Sequence, residues 1–265
     1  MSRILTQTPS TTRVYLNKVG LADIDPTIYI RSVKYGAPSI TTKTVERARY
    51  NGSRVTRQRM DSSTVTVSFS VIEYDPARYM DIMHRITAWA MAGGVLTTDD
   101  RPNQRLRVVC TSAPSGQGQA NMSDAREIEF SAFDQPFWED TIPKRTTLTG
   151  SSGSGQISGV GSASDPFVEV RAVTSGYVTS MTLNAANTTI SLSGISVQTG
   201  QALVIAYDET HTLHIYNEDT GVSYLSKRSA ASDDDLMIPA GEFSAVSFTA
   251  NGSMTVTFSV RGLYL

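Results

Sequence analysis

The stretch TVTVSFSVI, residues 64–72, alternates without a break: Val65, Val67, Phe69 and Val71 fall on one side, Thr64, Thr66, Ser68 and Ser70 on the other. Successive side chains leave a pleated backbone on opposite faces, so a period of two marks a strand with one face in a core and one in solvent. The same period returns downstream, as Leu106, Val108 and Cys110 in RLRVVCT (105–111) and as Ile128 and Phe130 in REIEFSA (126–132). Between these strands lies DPARYMDIMHRITAWAMAGG, residues 75–94, where Tyr79, Ile82, Met83, Ile86, Trp89 and Ala90 recur at spacings of three and four. That is the stripe of an amphipathic helix. Asp75 is placed to cap it, Pro76 suits its first turn, and Gly93-Gly94 supplies the stop. The first part of the chain is therefore expected to be mainly β, a sandwich or barrel-like domain with one helix.

The stretch TGSSGSGQISGVGSASDP, residues 149–166, holds almost nothing that could enter a core. Its Gly/Ser content predicts a flexible link and hence a domain break, with domains over 1–148 and 167–265. Beyond it the sequence is a succession of short alternating strands. Tyr177, Thr179, Met181 and Leu183 are expected to share one face, as are Leu213 with Ile215 and, near the end, Met254, Val256, Phe258 and Val260. Turn signals separate them: Thr199-Gly200, Thr220-Gly221 and Asn251-Gly252, as Asn51-Gly52 does earlier. A second β domain, a sandwich or jelly roll, is the fold that such spacing favours.

The composition of the 265-residue chain narrows function by exclusion. Hydrophobic residues make up 40%, enough for a sizeable core, while 18% charged residues is below the usual figure of about 25%. The one cysteine, Cys110, cannot form an intramolecular disulfide. No apolar run approaches the roughly 18 residues of a spanning helix, and MSRILTQTPSTTR at the start lacks the apolar centre of a signal peptide. The reading is of a soluble, unexported chain. Residues 1–150 carry 19 Lys and Arg against 15 Asp and Glu, while 151–265 carry 4 against 10. Neither half has the concentrated basic face of a dedicated nucleic-acid binder. The densest basic group is Arg47, Arg49, Arg54, Arg57 and Arg59 around Asn51-Gly52. On the two arms of a hairpin these arginines can form one stripe, suited to a solvated edge or a subunit contact.

No residues read as catalytic, cofactor-binding or metal-ligating. His84 sits on the helix without a carboxylate stripe. His211 and His214 are three apart in a strand-like stretch, which sends them to opposite faces and prevents chelation of one ion. Cys110 lies on an apolar strand face with no histidine near it in sequence, the setting of an inert thiol. The run Asp233-Asp234-Asp235 offers hard oxygen ligands for an ion but lacks the spacing and glycine of a calcium loop. Nucleophile-elbow, phosphate-loop and dinucleotide motifs are missing. The exposed aromatics expected in the second domain, Tyr207, Tyr216 and Tyr224, are the candidates for gripping a cell-wall glycan, the alternative to a purely structural role. A glycan-degrading enzyme ranks third, because adjacent carboxylates such as Asp208-Glu209 diverge on a strand.

Four stretches together carry a resemblance. They are SVKYGAPSITTKTVERARYNGSRVTRQRM (32–60) running into TVTVSFSVI, the helix after Asp75-Pro76, RLRVVCTSAP (105–114) with REIEFSAFDQPFWED (126–140), and MIPAGEFSAVSFTANGSMTVTFSVRGLYL (237–265). In this order they resemble the distal tail proteins of long, non-contractile phage tails, over nearly the whole chain. The resemblance implies an N-terminal domain that forms a homohexameric ring continuing the tail tube. It implies a C-terminal galectin-like sandwich directed outward, and an aromatic-proline exit at Phe133, Pro136, Phe137 and Trp138. The partners implied are the tail tube protein, the tail hub or tail-associated protein, and receptor-binding or baseplate proteins. The place implied is the virion tail tip, assembled in the bacterial host cytoplasm, with no enzymatic activity and no cofactor.

Overall fold

A computed structural model describes residues 12–46, 53–114, 125–133, 135–158, 161, 163–208 and 211–265. The chain is mostly strand and divides into two compact units, residues 1–138 with Leu265, and residues 139–264.

In the first unit the strands are β1 (Val14–Leu16), β2 (Val19–Gly20), β3 (Ile28–Gly36), β4 (Ile40–Glu46), β5 (Ser53–Met60), β6 (Ser63–Val71), β7 (Gly94–Thr98), β8 (Gln104–Ser112) and β9 (Arg126–Ala132). Seven of them form one antiparallel sheet in the order β2-β1-β7-β8-β9-β6-β3, and β4 pairs with β5 separately. The strand read first from sequence, β6, lies between β9 and β3, with Val65, Val67, Phe69 and Val71 all buried. Ser68 and Ser70 on its polar side are buried too, and Ser70 accepts a hydrogen bond from Arg31. Leu106, Val108, Ile128 and Phe130 are buried as the alternation predicts, whereas Cys110 is only half-buried.

The helix appears as read, α2 (Pro76–Met91), preceded by a four-residue α1 (Leu21–Ile24) that no periodicity announced. The Asp75 carboxylate accepts from the Ala77 amide at 3.0 Å, and Pro76 opens the first turn. Gly93, at φ 58°, donates to the Ala90 carbonyl and ends the helix in the left-handed conformation that glycine tolerates. Tyr79, Ile82, Met83, Ile86 and Ala90 are buried. Trp89, expected among them, sits at the margin of the stripe and is half-buried. Its indole edge meets Phe130 with centroids 6.0 Å apart, and its Nε1 donates to the Val19 carbonyl at 3.0 Å.

The second unit contains β11 (Lys144–Ser158), β12 (Val168–Thr174), β13 (Val178–Ala185), β14 (Thr188–Val197), β15 (Ala202–Tyr207), β16 (Leu213–Asn217), β17 (Phe243–Val260) and β18 (Leu263–Tyr264), while β10 (Trp138–Asp140) spans the division. The organising strand is β17. Residues 246–250 pair with β13, which carries β14, and residues 254–260 pair with β12, which carries β15 and β16. β11 follows β17 along both halves. One long strand pair thus turns a corner and serves two layers that share a core including Leu183, Ile205, Phe248, Val256 and Phe258.

This corner corrects three expectations. Residues 149–158 are not a link: they complete β11, and the division between units falls at 138/139. The inward positions there are Gly153, Gly155 and Ile157, opposite Phe248, Val246 and Ser244. A methyl group on Gly153 would lie 3.0 Å from the Phe248 ring and 3.2 Å from Leu148 Cβ, so glycine leaves room for neighbouring apolar side chains. The hydrophobic half of the alternation is supplied by the partners and is invisible in the segment itself. Second, Asn251-Gly252 is not a hairpin turn but the bend inside β17, opposite the irregularity between Gly150 and Ser152. Third, a bulge between Val178 and Ser180 turns Val178 inward and leaves Tyr177 about half exposed, so Tyr177 does not share a face with Met181 and Leu183. Asn251 fills this bulge: its Oδ1 accepts from the Thr179 and Ser180 amides at 3.0 and 3.1 Å, and its Nδ2 donates to Thr179 Oγ1 at 2.8 Å.

Candidate interaction surfaces

The β4–β5 hairpin carries the basic group. Arg47 and Arg49 lie outside the described residues; Arg54, Arg57 and Arg59 belong to β5. Thr41 stands opposite Arg59, Lys43 opposite Arg57, and Val45 opposite Arg54, with the register shifting between Lys43 and Thr44. That shift absorbs one residue of β5. At the base, backbone bonds join Ser39 to Ser62 and Asp61 to Ser39 at 2.9 and 2.8 Å, and Thr41 donates to Asp61.

Two further clusters in this unit combine residues far apart in sequence. At the end of β3, the Tyr35 hydroxyl meets the Asp100 carboxylate at 2.6 Å and Thr98 Oγ1 at 3.0 Å. The Tyr35 ring stands edge-on to Trp138 at 5.6 Å, and the Arg101 guanidinium lies 4.8 and 5.0 Å from the two ring centres. Burial first, then the bond to Asp100, pushes the Tyr35 hydroxyl far above its ordinary pKa, so it stays protonated. Burial works against ionisation of Asp100, but hydrogen bonds from Thr98 and Tyr35 outweigh it and hold the carboxyl below its ordinary value. Trp138 is buried here and Phe133 is exposed, so the aromatic-proline exit is half anchor and half surface.

The other cluster fastens α1 to α2. The buried Asp25 carboxylate accepts from the Thr27 amide at 3.0 Å and hydroxyl at 2.7 Å, and faces Arg78 at 3.8 Å and Arg85 at 3.9 Å. The Thr27 bonds lower its pKa first, and the two arginines add to them against burial. Arg85 also donates to the Ile24 carbonyl.

The three tyrosines of the second unit have different surroundings. Tyr224, expected to be exposed, is a core residue at 6% exposure whose hydroxyl bonds Ser196, so its ring offers no face to a sugar. Tyr207 packs on Phe167 with centroids 4.4 Å apart and accepts from the Leu236 amide at 2.7 Å. Tyr216 lies on the solvent side of β16, opposite Val204, and is half-buried. His211, at φ 59° in a loop rather than a strand, stacks on Phe167 at 5.2 Å, while His214 pairs with Asp208 at 3.0 Å. The three aspartates turn to different surroundings. Asp233 accepts from the Thr189 amide at 2.6 Å, Asp234 meets Arg228 at 3.1 Å, and burial raises the pKa of Asp235. Burial likewise raises the Cys110 thiol, keeping it un-ionised. His84 is exposed on α2.

No family model and no curated protein matches the sequence. Among solved structures the chain is similar to SPP1 Dit, described as a paradigm of the hub adsorption apparatus of phages infecting Gram-positive bacteria. The identity is 13%, covering 94% of this chain and 98% of that one, with a TM-score of 0.67. It is also similar to a chain of the phage p2 baseplate in its activated conformation with Sr, at 8% identity, 94% and 97% coverage and a TM-score of 0.50. With both units matched in one alignment along nearly the full length of SPP1 Dit, the chain has the fold of a siphophage distal tail protein.

Proposed function

We propose that this chain is a structural component of a phage tail tip. The first unit closes as a homohexameric ring continuing the tail tube, and the second, a galectin-like sandwich, is directed outward. The observation that carries the reading is the likeness to SPP1 Dit across both units, since two unrelated β modules would not be expected to match one phage hub protein in the same order. A ring of six needs two different patches on each subunit, because the contact is head to tail. The β4–β5 hairpin supplies one such patch: an isolated two-stranded ribbon is marginally stable in water and gains from a neighbour. The charge of Lys43 on β4 and of Arg54, Arg57 and Arg59 on β5 favours a defined register against that neighbour.

The partners in this reading are a second copy of the chain, the tail tube protein, the tail hub or tail-associated protein, and receptor-binding or baseplate proteins. The role is architectural, without enzymatic activity. The protein resides at the virion tail tip after assembly in the bacterial host cytoplasm. Light scattering across a concentration series, with negative-stain imaging of the same sample, tests the ring. Six-fold particles of about six chain masses are expected. Monomers at every concentration, or a closed particle of other symmetry, refute it.

A further inference from the structure

The strand order of the second unit ends on β14 at one side and on β16 at the other. Neither strand contains Lys, Arg, Asp, Glu or Pro: β14 reads TTISLSGISV and β16 reads LHIYN. Their inward residues, Ile190, Leu192, Ile195 and Val197 on one and Leu213 and Ile215 on the other, are buried. Uncharged strands of this composition at the end of a sheet are templates for pairing with another chain. Folded proteins blunt such edges with charge, with proline or with a covering loop. The first two devices are missing from β14 and β16.

Residues 218–235 supply the third. Their first half lies along β16, where Ser223 stands opposite Tyr216. The Asn217 amide donates to the Val222 carbonyl at 2.9 Å, the Asn217 carbonyl accepts from Gly221 at 2.8 Å, and the Tyr224 amide donates to the Ile215 carbonyl at 2.7 Å. The second half lies along β14, where Arg228 stands opposite Leu192. There the Ser229 and Asp233 amides donate to the Ser191 and Thr189 carbonyls at 2.8 and 2.9 Å. In return, Ser232 Oγ and the Asp233 carboxylate accept from the Ser191 and Thr189 amides at 2.9 and 2.6 Å. Between the halves the Tyr224 ring enters the core, and its hydroxyl bonds both the amide and the carbonyl of Ser196. Arg228 closes the second half on itself, donating to the Asp233 and Asp234 carbonyls at 3.3 and 3.0 Å and pairing with the Asp234 carboxylate at 3.1 Å. The segment thus brings to both edges the charges they lack: Glu218, Asp219, Lys227, Arg228 and Asp233 to Asp235. Tyr224 is the one buried residue within 218–235, so lifting the segment uncovers little apolar surface and costs less than unfolding the sandwich.

We infer that residues 218–235 are a strap that opens as one body and keeps β14 and β16 from pairing with the same strands of a second copy of this chain. A second copy fits a bared edge because two uncharged β14 strands can pair antiparallel with no like charges opposed. The inference goes beyond the tail-tip reading and does not rest on it. Hydrogen exchange on the full-length protein tests the one-body opening. Tyr224→Phe removes the hydroxyl bonded to Ser196, and Ser232→Ala the hydroxyl bonded to Ser191, both on the β14 side. Each is expected to speed exchange of the Asn217 amide, on the β16 side, by about fivefold, the effect of losing one net hydrogen bond, while amides of β13 and β17 keep the parent's protection. Acceleration confined to the β14 side, or none, overturns the inference. Sedimentation tests the protection of the edges. Tyr224→Ala is expected to associate beyond the parent at equal concentration, and adding edge lysines, Thr189→Lys on β14 with His214→Lys on β16, is expected to restore the parent's size. No added association, or association that the lysines leave in place, overturns the inference. Sizes are read against the parent, so none of these results bears on whether six copies close a ring.

Discussion

Replacing Gly252 by alanine tests the corner on which the second unit is built. Gly252 is not among the glycines with positive φ, so its backbone conformation does not by itself forbid a side chain. What forbids it is space: a Cβ there would lie 2.8 Å from the Tyr177 carbonyl oxygen and 3.0 Å from Val178 Cγ2. The first contact is with backbone inside a bulge that Asn251 already pins by three hydrogen bonds, so it cannot swing aside. Overpacking of this kind costs about 1–3 kcal/mol, offset by about 0.4–1 kcal/mol from the reduced freedom of the unfolded chain. The net is a loss of about 1.3 kcal/mol at mid-range, within bounds of about 0 and 2.6 kcal/mol, or up to roughly 10 °C in melting temperature for a domain of this size. Gly176→Ala is the control, because a Cβ at Gly176 meets nothing within 4 Å and only the favourable contribution remains. Thermal and urea unfolding of the two variants beside the parent should therefore move in opposite directions. If Gly252→Ala melts at or above the parent, residues 251–253 do not press against the bulge, and the account of β17 as one strand bent across two layers fails.

Four other outcomes follow from the same geometry. Ile86→Ala, at a fully buried position of α2, should cost about 2–5 kcal/mol in urea unfolding; an unchanged midpoint would mean that the helix presents another face. Asp25 has a folded pKa below its unfolded value of 3.8, so its contribution is present above that value and disappears as the pH falls through the folded one. Asp25→Asn should be less stable near neutrality and lose less on acidification, and parallel pH profiles for variant and parent would contradict the Thr27 and arginine contacts. Charge reversal of Arg57 and Arg59 together should abolish the six-fold particle in light scattering while leaving the monomer's melting temperature within about 1 °C; a retained ring removes the hairpin from the interface. Limited proteolysis should make no first cut within 149–158, because that backbone is paired along β17; a first cut there would restore a linker.

What could be read from sequence was whatever a strand or helix declares by its own periodicity. Val65 to Val71 and Met254 to Val260 alternate because each strand supplies its own half of the core, and Asp75-Pro76 and Gly93 mark the helix ends by local backbone chemistry. The reading failed where a segment's inward side is filled by someone else's side chain. Gly153 and Gly155 look like linker residues because Phe248 and Leu148 occupy the space above them. Trp89 reads as core by spacing, yet its indole nitrogen is committed to the Val19 carbonyl, which holds the ring at the margin of the stripe. Tyr177 was misplaced by one bulge, since inserting a residue reverses the face of everything on one side of it.

The same distinction explains why the interaction surfaces were only half legible. The β4–β5 hairpin was legible because its two arms are close in sequence, although its register shift was not. The Arg171–Glu218 ion pair of the second unit and the Tyr35–Asp100–Arg101–Trp138 cluster had no local signal. Arg171 and Glu218 are 47 residues apart, and Tyr35 and Asp100 are 65 apart. Nothing in either segment names the other until strand order is known. Tyr216 was singled out from its sequence as an exposed aromatic, but so was Tyr224, which is core. What separates them is strand parity: Tyr216 lies one residue from the inward-facing Ile215, while Tyr224 follows a loop whose backbone closes over the edge of β16 and carries its ring inside. Surface recognition in a two-layer β fold depends on which outward rows stand side by side. It is therefore set by topology first and by residue type second, and a search for binding residues in such a chain gains most from fixing the strand order.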